Sequence, residues 1–150
     1  MRKEKLEFAS HSANLALVRQ HVRAFLEPHA ISEKDRLLIV LGVDEACTNI
    51  IRYAYSLQDD QLICLSMEHA RNCITIRLRD YGKQPARNAL RKRPARAVRP
   101  GGLGLHLIRN AFDKVDYRLK ETGTELVLTK KLVEVNSAKP ARAARKTVAP

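Results

Sequence analysis

No run of apolar residues in this chain approaches the roughly 20 that a helix needs to span a bilayer, and the opening MRKEKLEFAS lacks the apolar centre of a secretion signal. A soluble, cytoplasmic protein is expected. Cysteine is scarce: Cys47, Cys64 and Cys73 are odd in number, show no CxxC spacing and fall inside periodic segments. Disulfides and thiolate metal sites are not expected, and all three read as reduced packing residues. Acids are missing altogether from two stretches, since residues 81–100 hold seven bases and residues 137–150 hold four, with neither Asp nor Glu in either. Without those eleven, 17 of the 28 Lys and Arg face 16 Asp and Glu, so the net charge of +12 belongs to one internal segment and one tail. A nearly neutral body of this kind disfavours a dedicated nucleic-acid binder, and the basic tail supports weak contact at most.

What is present suffices for one core. With 150 residues and 45% hydrophobic content, a single domain over 1–135 is expected, followed by a low-complexity tail over 136–150 that cannot bury enough apolar surface to order itself. Periodicity predicts a strand near 4–9 and a helix from about Asn14 to Glu27, with Leu15, Val18, Val22 and Leu26 on one face and Pro28 beyond its end. A second helix is predicted from Ser32 or Glu33 to Tyr55. Strands follow at 62–69 and 73–80 with Asn72 near their turn, then a helix at 104–112 and strands at 115–120 and 124–132. Between Tyr81 and Gly102 the pattern stops, giving a long segment that compact domains seldom keep without a use.

Three stretches carry chemistry. In VDEACTNIIRYAY, at about 100° per residue, Ile39, Val43, Ala46, Cys47, Ile50 and Ala54 share one apolar sector that must face a sheet. Glu45, Asn49 and Arg52 cluster on the opposite side, and because Leu38, Leu41 and Gly42 share it, that side is itself partly covered. A carboxylate, an amide and a guanidinium in a column suit a base, an oxygen ligand for Mg²⁺ and a phosphate partner; an ordinary helix surface with a Glu-to-Arg contact is the alternative. In CITIRLRDYG the alternation that buries Ile74, Ile76 and Leu78 puts Asp80 on the apolar face at the strand's end. A carboxylate there needs a donor, such as the amino group of a flat heterocycle that Gly82 would let approach; an Asp that simply starts a turn is the alternative. In RPGGLGLHLIRN, Gly101, Gly102 and Gly104 stand at the mouth of an apolar helix, where each glycine costs roughly 1 kcal/mol against alanine. Bare backbone N–H groups at the positive end of a helix suit a polyphosphate, and a flexible hinge is the alternative.

In this order and spacing, DEACTNIIRYAY, LRDYGKQP and GGLGLHLIRNAFDKVDY resemble the N-box, first glycine box and second glycine box of the histidine-kinase-like (GHKL) ATPases, over about residues 5–132. Within that superfamily the short single-domain form is similar to the bacterial anti-sigma-factor serine kinases. The resemblance implies an α+β fold, a two-layer sandwich of the Bergerat type with helices on one face of a mixed, largely antiparallel sheet, and ATP with Mg²⁺ held beneath a lid at about 81–102. Carried over by position, Asn49 would ligate Mg²⁺, Asp80 would accept the adenine amino proton, Gly82 would lie beside the base, and the turn Gly102, Leu103, Gly104, Leu105 would hold phosphates. Glu45 matches the general base, Arg52 the basic residue three places after the Asn, and Thr124 the late threonine near the adenine. Two departures stand out: Tyr53 replaces a frequent His, and Gln84-Pro85 replaces the second glycine of the first box, as in the short serine-kinase subgroup. The implied role is a serine/threonine protein kinase and anti-sigma factor, a homodimer that sequesters a sigma factor and phosphorylates its antagonist. A non-catalytic ATP-binding regulatory module is the alternative, while a small nucleic-acid binder leaves Glu45, Asn49 and Asp80 unexplained.

Overall fold

Period-two alternation builds the layer on which everything else packs. In the computed structural model, which describes residues 1–86 and 102–133, five strands form one sheet: β1 (Arg2–Ala9), β2 (Leu62–Ala70), β3 (Cys73–Asp80), β4 (Lys114–Leu119) and β5 (Thr124–Lys131), in the order β1-β2-β3-β5-β4. The central part of the expected lid and the C-terminal tail lie outside the described residues. Every pairing is antiparallel, so the parallel pair that a mixed sheet would contain is absent among the described strands. The two-layer α+β architecture is otherwise as expected.

Registered rows of apolar side chains line one face, for example Leu6 opposite Leu65, Leu65 opposite Leu78 and Leu78 opposite Leu126. Ile63, Met67, Ile74, Ile76 and Leu128 complete that face, all buried. The other face is polar, as an antiparallel sheet open to water on one side permits: Glu68 bridges Lys3 at 3.8 Å and Arg77 at 3.5 Å. Cys64 and Cys73 share the parity of Arg77 and Arg79 and are partly exposed, so of the three expected packing cysteines only Cys47 is a buried one; all are free. Burial, with Asp44 nearby, pushes the Cys47 thiol far above its ordinary range and keeps it inert.

Helix α1 (Leu15–Leu26) buries Val18, Val22, Phe25 and Leu26, and ends before Pro28. Helix α2 (Glu33–Asn49) starts where Ser32 Oγ accepts the Asp35 amide at 3.1 Å, with Glu33 and Asp35 in the positive first turn. Its apolar sector is the predicted one: Ile39, Val43, Ala46 and Cys47 are buried against the sheet. Helix α3 (Gly102–Ala111) packs on α2, close enough that a Cβ on Gly42 would lie 3.0 Å from that of Ala111.

The second helix departs from expectation in its winding. It does not run as an α-helix to Tyr55: Ile50–Ala54 forms a π-helical turn, closed by the Tyr55 amide on the Ile50 carbonyl at 3.0 Å. Ser56 and Leu57 then take positive φ of 50° and 65° and turn the chain toward β2.

Arg71 and Asn72, at φ 50° and 55°, form the two-residue connection between β2 and β3. Two consecutive positive φ values are the signature of a type I′ hairpin, which matches strand twist but disfavours side chains other than Gly, Asn and Asp. Arg71→Gly should therefore raise stability by about 0.5–1 kcal/mol and Arg71→Val should lower it. Urea midpoints at constant m measure both, and identical midpoints in all three proteins would show that the turn places no such demand.

Candidate functional site

Asp80 ends β3 directly opposite Thr124, which opens β5, and both are buried, at 4% and 5% exposure. Asp80 Oδ1 accepts the Gly82 amide at 3.0 Å, so the modest expectation that this Asp starts a turn is met. A turn does not require burial, however. Burial raises the Asp80 carboxyl above its ordinary range, against the lowering influence of the Gly82 amide, the Arg79 guanidinium and the Thr124 amide. Beside it, Thr124 Oγ1 is buried with no hydrogen-bond partner among the described residues. A carboxylate has about four acceptor sites, and an unsatisfied buried hydroxyl costs about 1–3 kcal/mol. Acceptor and hydroxyl side by side on one rung can read adjacent donor and acceptor atoms on a planar base.

The turn beyond Asp80 is held from two sides. A Cβ on Gly82 would collide with the Ala54 carbonyl and come within 2.8 Å of the Tyr55 ring, so the bare Gly82 has a packing cause: it lets the turn lie against the end of the π-helical segment. The Lys83 amide donates to the same Ala54 carbonyl at 2.8 Å. From the other side, Gly123, at φ 72°, lies so close that a Cβ there would collide with the Asp80 carbonyl and come within 2.5 Å of Tyr81 Cα. Gln84, standing where a second glycine is the commoner pattern, donates through Nε2 to the carbonyls of Lys120 at 2.6 Å and Gly123 at 2.8 Å.

On α2, Glu45 is half-buried and forms no ion pair or hydrogen bond among the described residues, so the ordinary Glu-to-Arg contact is not made. Asn49 Oδ1 is buried and lacks a hydrogen-bond partner among the described residues. Glu45 and Asn49 keep the expected i, i+4 relation. Arg52, the third residue expected in that column, falls inside the π-helical turn and lies exposed with its guanidinium 6.0 Å over the Tyr53 ring. Among the described residues no group of three or more His, Cys, Asp or Glu could hold a metal by itself. A hard cation on the Asn49 oxygen would have to complete its shell from outside the protein, as Mg²⁺ does with phosphates and water.

Gly102, Leu103 and Gly104 form the first turn of α3, and Leu105 behind them is half-buried against the core. Three residues of this region escaped the sequence reading: Ala54, Tyr55 and Gly123. The signals were present, in a tyrosine closing an apolar sector, whose hydroxyl must find partners when buried, and a glycine at a hairpin between two strands. Two shallow grooves, both lined by Lys5, Ser66 and Arg77, lie on the open face of the sheet. Buried unpaired polar atoms point to a ligand more strongly than a solvated depression does.

Residues 8–130 match the family model described as the histidine kinase-like ATPase domain. The chain is 31% identical over 100 residues to a serine-protein kinase RsbW of Halalkalibacterium halodurans, covering 61% of this chain and 60% of the relative. It is 24% identical over 135 residues to an anti-sigma F factor of Clostridium perfringens, covering 87% and 96%, and 27% identical over 140 residues to that of Clostridium novyi, covering 89% and 96%. Among solved structures, the RsbU and RsbW domains of a Mycobacterium tuberculosis protein align with a TM-score of 0.64 at 16% identity, over 88% of this chain and 33% of that one. The histidine kinase domain of an Erythrobacter litoralis blue-light activated histidine kinase gives 0.55 at 14% identity, over 81% and 60%. These structures speak to the fold alone. A single family model thus spans β2, β3, β4 and nearly all of β5, the Glu45–Asn49 helix and the Asp80–Thr124 rung, and the chain belongs to the histidine kinase-like ATPase domain family.

Proposed function

We propose that this protein is an ATP-dependent serine/threonine protein kinase and anti-sigma regulatory factor, which sequesters a sigma factor and phosphorylates a protein antagonist of that sequestration. The observation that carries the nucleotide reading is that Asn49 Oδ1 and Thr124 Oγ1 are buried oxygens without a hydrogen-bond partner among the described residues, the second of them directly opposite the buried Asp80 carboxylate. Family membership supports the same reading, and the names of relatives, a serine-protein kinase RsbW and anti-sigma F factors, support the kinase and regulatory roles.

The residues fit the group. Asp80 accepts from an exocyclic amino group, Thr124 lies beside it to bond the ring edge, Asn49 offers a neutral oxygen to Mg²⁺, and the Gly102–Leu105 turn offers backbone amides and the positive end of a helix to phosphates. Bound there, ATP supplies the phosphoryl group and Mg²⁺ neutralises its charge. Glu45 then acts as general base, accepting the proton of a substrate serine or threonine hydroxyl through its carboxylate one helical turn before Asn49. Half-burial suits that task, since a protein substrate must reach the carboxylate from solvent. Arg52, exposed three residues after Asn49, adds positive charge.

Glu45→Ala should bind Mg-ATP within about twofold of the unmodified protein, yet lose roughly 100-fold or more in radiolabel transfer to the antagonist; undiminished transfer removes the base assignment. Asp80→Asn should lose about 2 kcal/mol of ATP affinity, roughly 30-fold, because an amide whose oxygen keeps the Gly82 N–H turns its NH₂ to the base amino group, donor to donor. The same substitution should stabilise the ligand-free protein at neutral pH. The folded-state value of Asp80 is raised above 3.8, so the native state favours the neutral acid, and wild-type stability falls as pH rises through the folded value. Urea midpoints should coincide well below that range and separate in favour of Asp80→Asn above it. Unchanged ATP affinity in this variant defeats the adenine role, and a gap independent of pH defeats the burial argument.

A further inference from the structure

Three segments meet at one phenol. Tyr55, 4% exposed, donates through Oη to the Leu62 carbonyl at 2.5 Å and accepts the Tyr81 amide at 2.8 Å. Both hydrogen-bonding functions of the hydroxyl are thereby used, which is the condition for burying it without loss. Burial, with the Asp80 carboxylate adding to it, raises the phenol above its ordinary range and keeps it a donor.

The bond to Tyr81 is made to backbone. The Tyr81 side chain is itself exposed and stacks under the Arg79 guanidinium at 4.2 Å, so what Tyr55 holds is the path of the chain between Asp80 and Gly82. That path decides where the Asp80 carboxylate points, because Oδ1 is tied to the Gly82 amide. The Lys83 amide on the Ala54 carbonyl adds a second tie one residue further along. The π-helical turn has a role in this: one residue more per turn rotates the residues after it by about 100° relative to a continuing α-helix, and Tyr55 is the residue that closes it.

We infer that the Tyr55 hydroxyl is a positioning group for base selection: by holding the Tyr81 amide it fixes the Asp80 carboxylate in the direction that favours a purine bearing an amino group over one bearing a carbonyl at that place. This inference rests on the nucleotide reading above. Tyr55 touches no nucleotide itself and acts through Tyr81, Gly82 and Asp80.

Tyr55→Phe keeps the ring in the core and removes only the hydroxyl. With the full chain and Mg²⁺, calorimetry should show ATP affinity falling about tenfold while the weaker GTP affinity stays within twofold, so the preference for ATP shrinks about tenfold. Hydrogen exchange at the Tyr81 amide should quicken more than tenfold, with Ile63 and Leu65 unchanged. A second variant removes the donor instead: Tyr81→Pro leaves Tyr55 intact, follows an extended residue as proline prefers, loses besides the N–H an exposed ring with its Arg79 contact, and should shrink the preference in the same way. Lowered thermal stability with an unchanged ATP-to-GTP ratio in both variants overturns the inference and leaves Tyr55 structural only. Absence of ATP binding by the unmodified chain overturns the nucleotide reading itself, and this inference with it.

Discussion

A carboxylate at the end of an apolar strand is the constraint to which the rest of the structure answers. Asp80 shares its face with Ile74, Ile76 and Leu78, all fully buried, and water cannot solvate it there as it would in the unfolded chain. Its raised pKa expresses that cost. With a net stability of about 5–15 kcal/mol to draw on, a domain tolerates such a group only where the surrounding backbone has no freedom to turn it outward. Gly82 against Ala54, Gly123 against Asp80 and the Tyr55 hydroxyl on the Tyr81 amide remove that freedom. The outcome is a polar group whose reorganisation cost is met on folding and not on binding, which is how rigid sites gain affinity.

The same turn gives the charge distribution its meaning. The sheet and helices are close to neutral, and the internal excess of positive charge lies in residues 81–100. That stretch leaves the described fold just after Asp80, where Lys83 and Gln84 are tied to Ala54, Lys120 and Gly123, and it rejoins at Gly102, the first residue of α3. In sequence, seven bases thus lie between Asp80 and the first residue of α3.

Much of this was legible because burial imposes a period. Alternation in CITIRLRD put Asp80 on the inner face, and the 3.6-residue period put Ile39, Val43, Ala46 and Cys47 on the sheet side of α2, leaving Glu45 and Asn49 on the other. Where reading failed, the cause was contact between residues remote in sequence. Nothing local distinguishes a π-helical turn at Ile50–Ala54 from a continuing α-helix, so the second helix was read as one α-helix to Tyr55. The partner of Tyr55 lies 26 residues away, and the clash that demands Gly123 is with the end of another strand. Cys64 and Cys73 misled for a different reason: cysteine is apolar enough to pass for core on the solvent side of a strand, and only parity with Arg77 and Arg79 gives it away.

The residues assigned to the proposed site also differ in burial in a way that suits the proposed tasks. Asp80 and Thr124 are almost wholly enclosed, where competition from water is weakest and a hydrogen bond to a base discriminates most. Glu45 is half-buried and Arg52 exposed, as the proposed transfer to a hydroxyl of a second protein would require. Asn49 lies between, its side-chain oxygen buried though the residue is not. A uniformly buried site would read the base well but exclude a protein substrate, and a uniformly open one would admit the substrate but lose selectivity to solvent. Placing the two acids on different elements, Asp80 at the end of a strand and Glu45 on a helix, would let a single small domain meet both requirements of the proposed function, because strand and helix bury their faces against each other while their flanks remain independent.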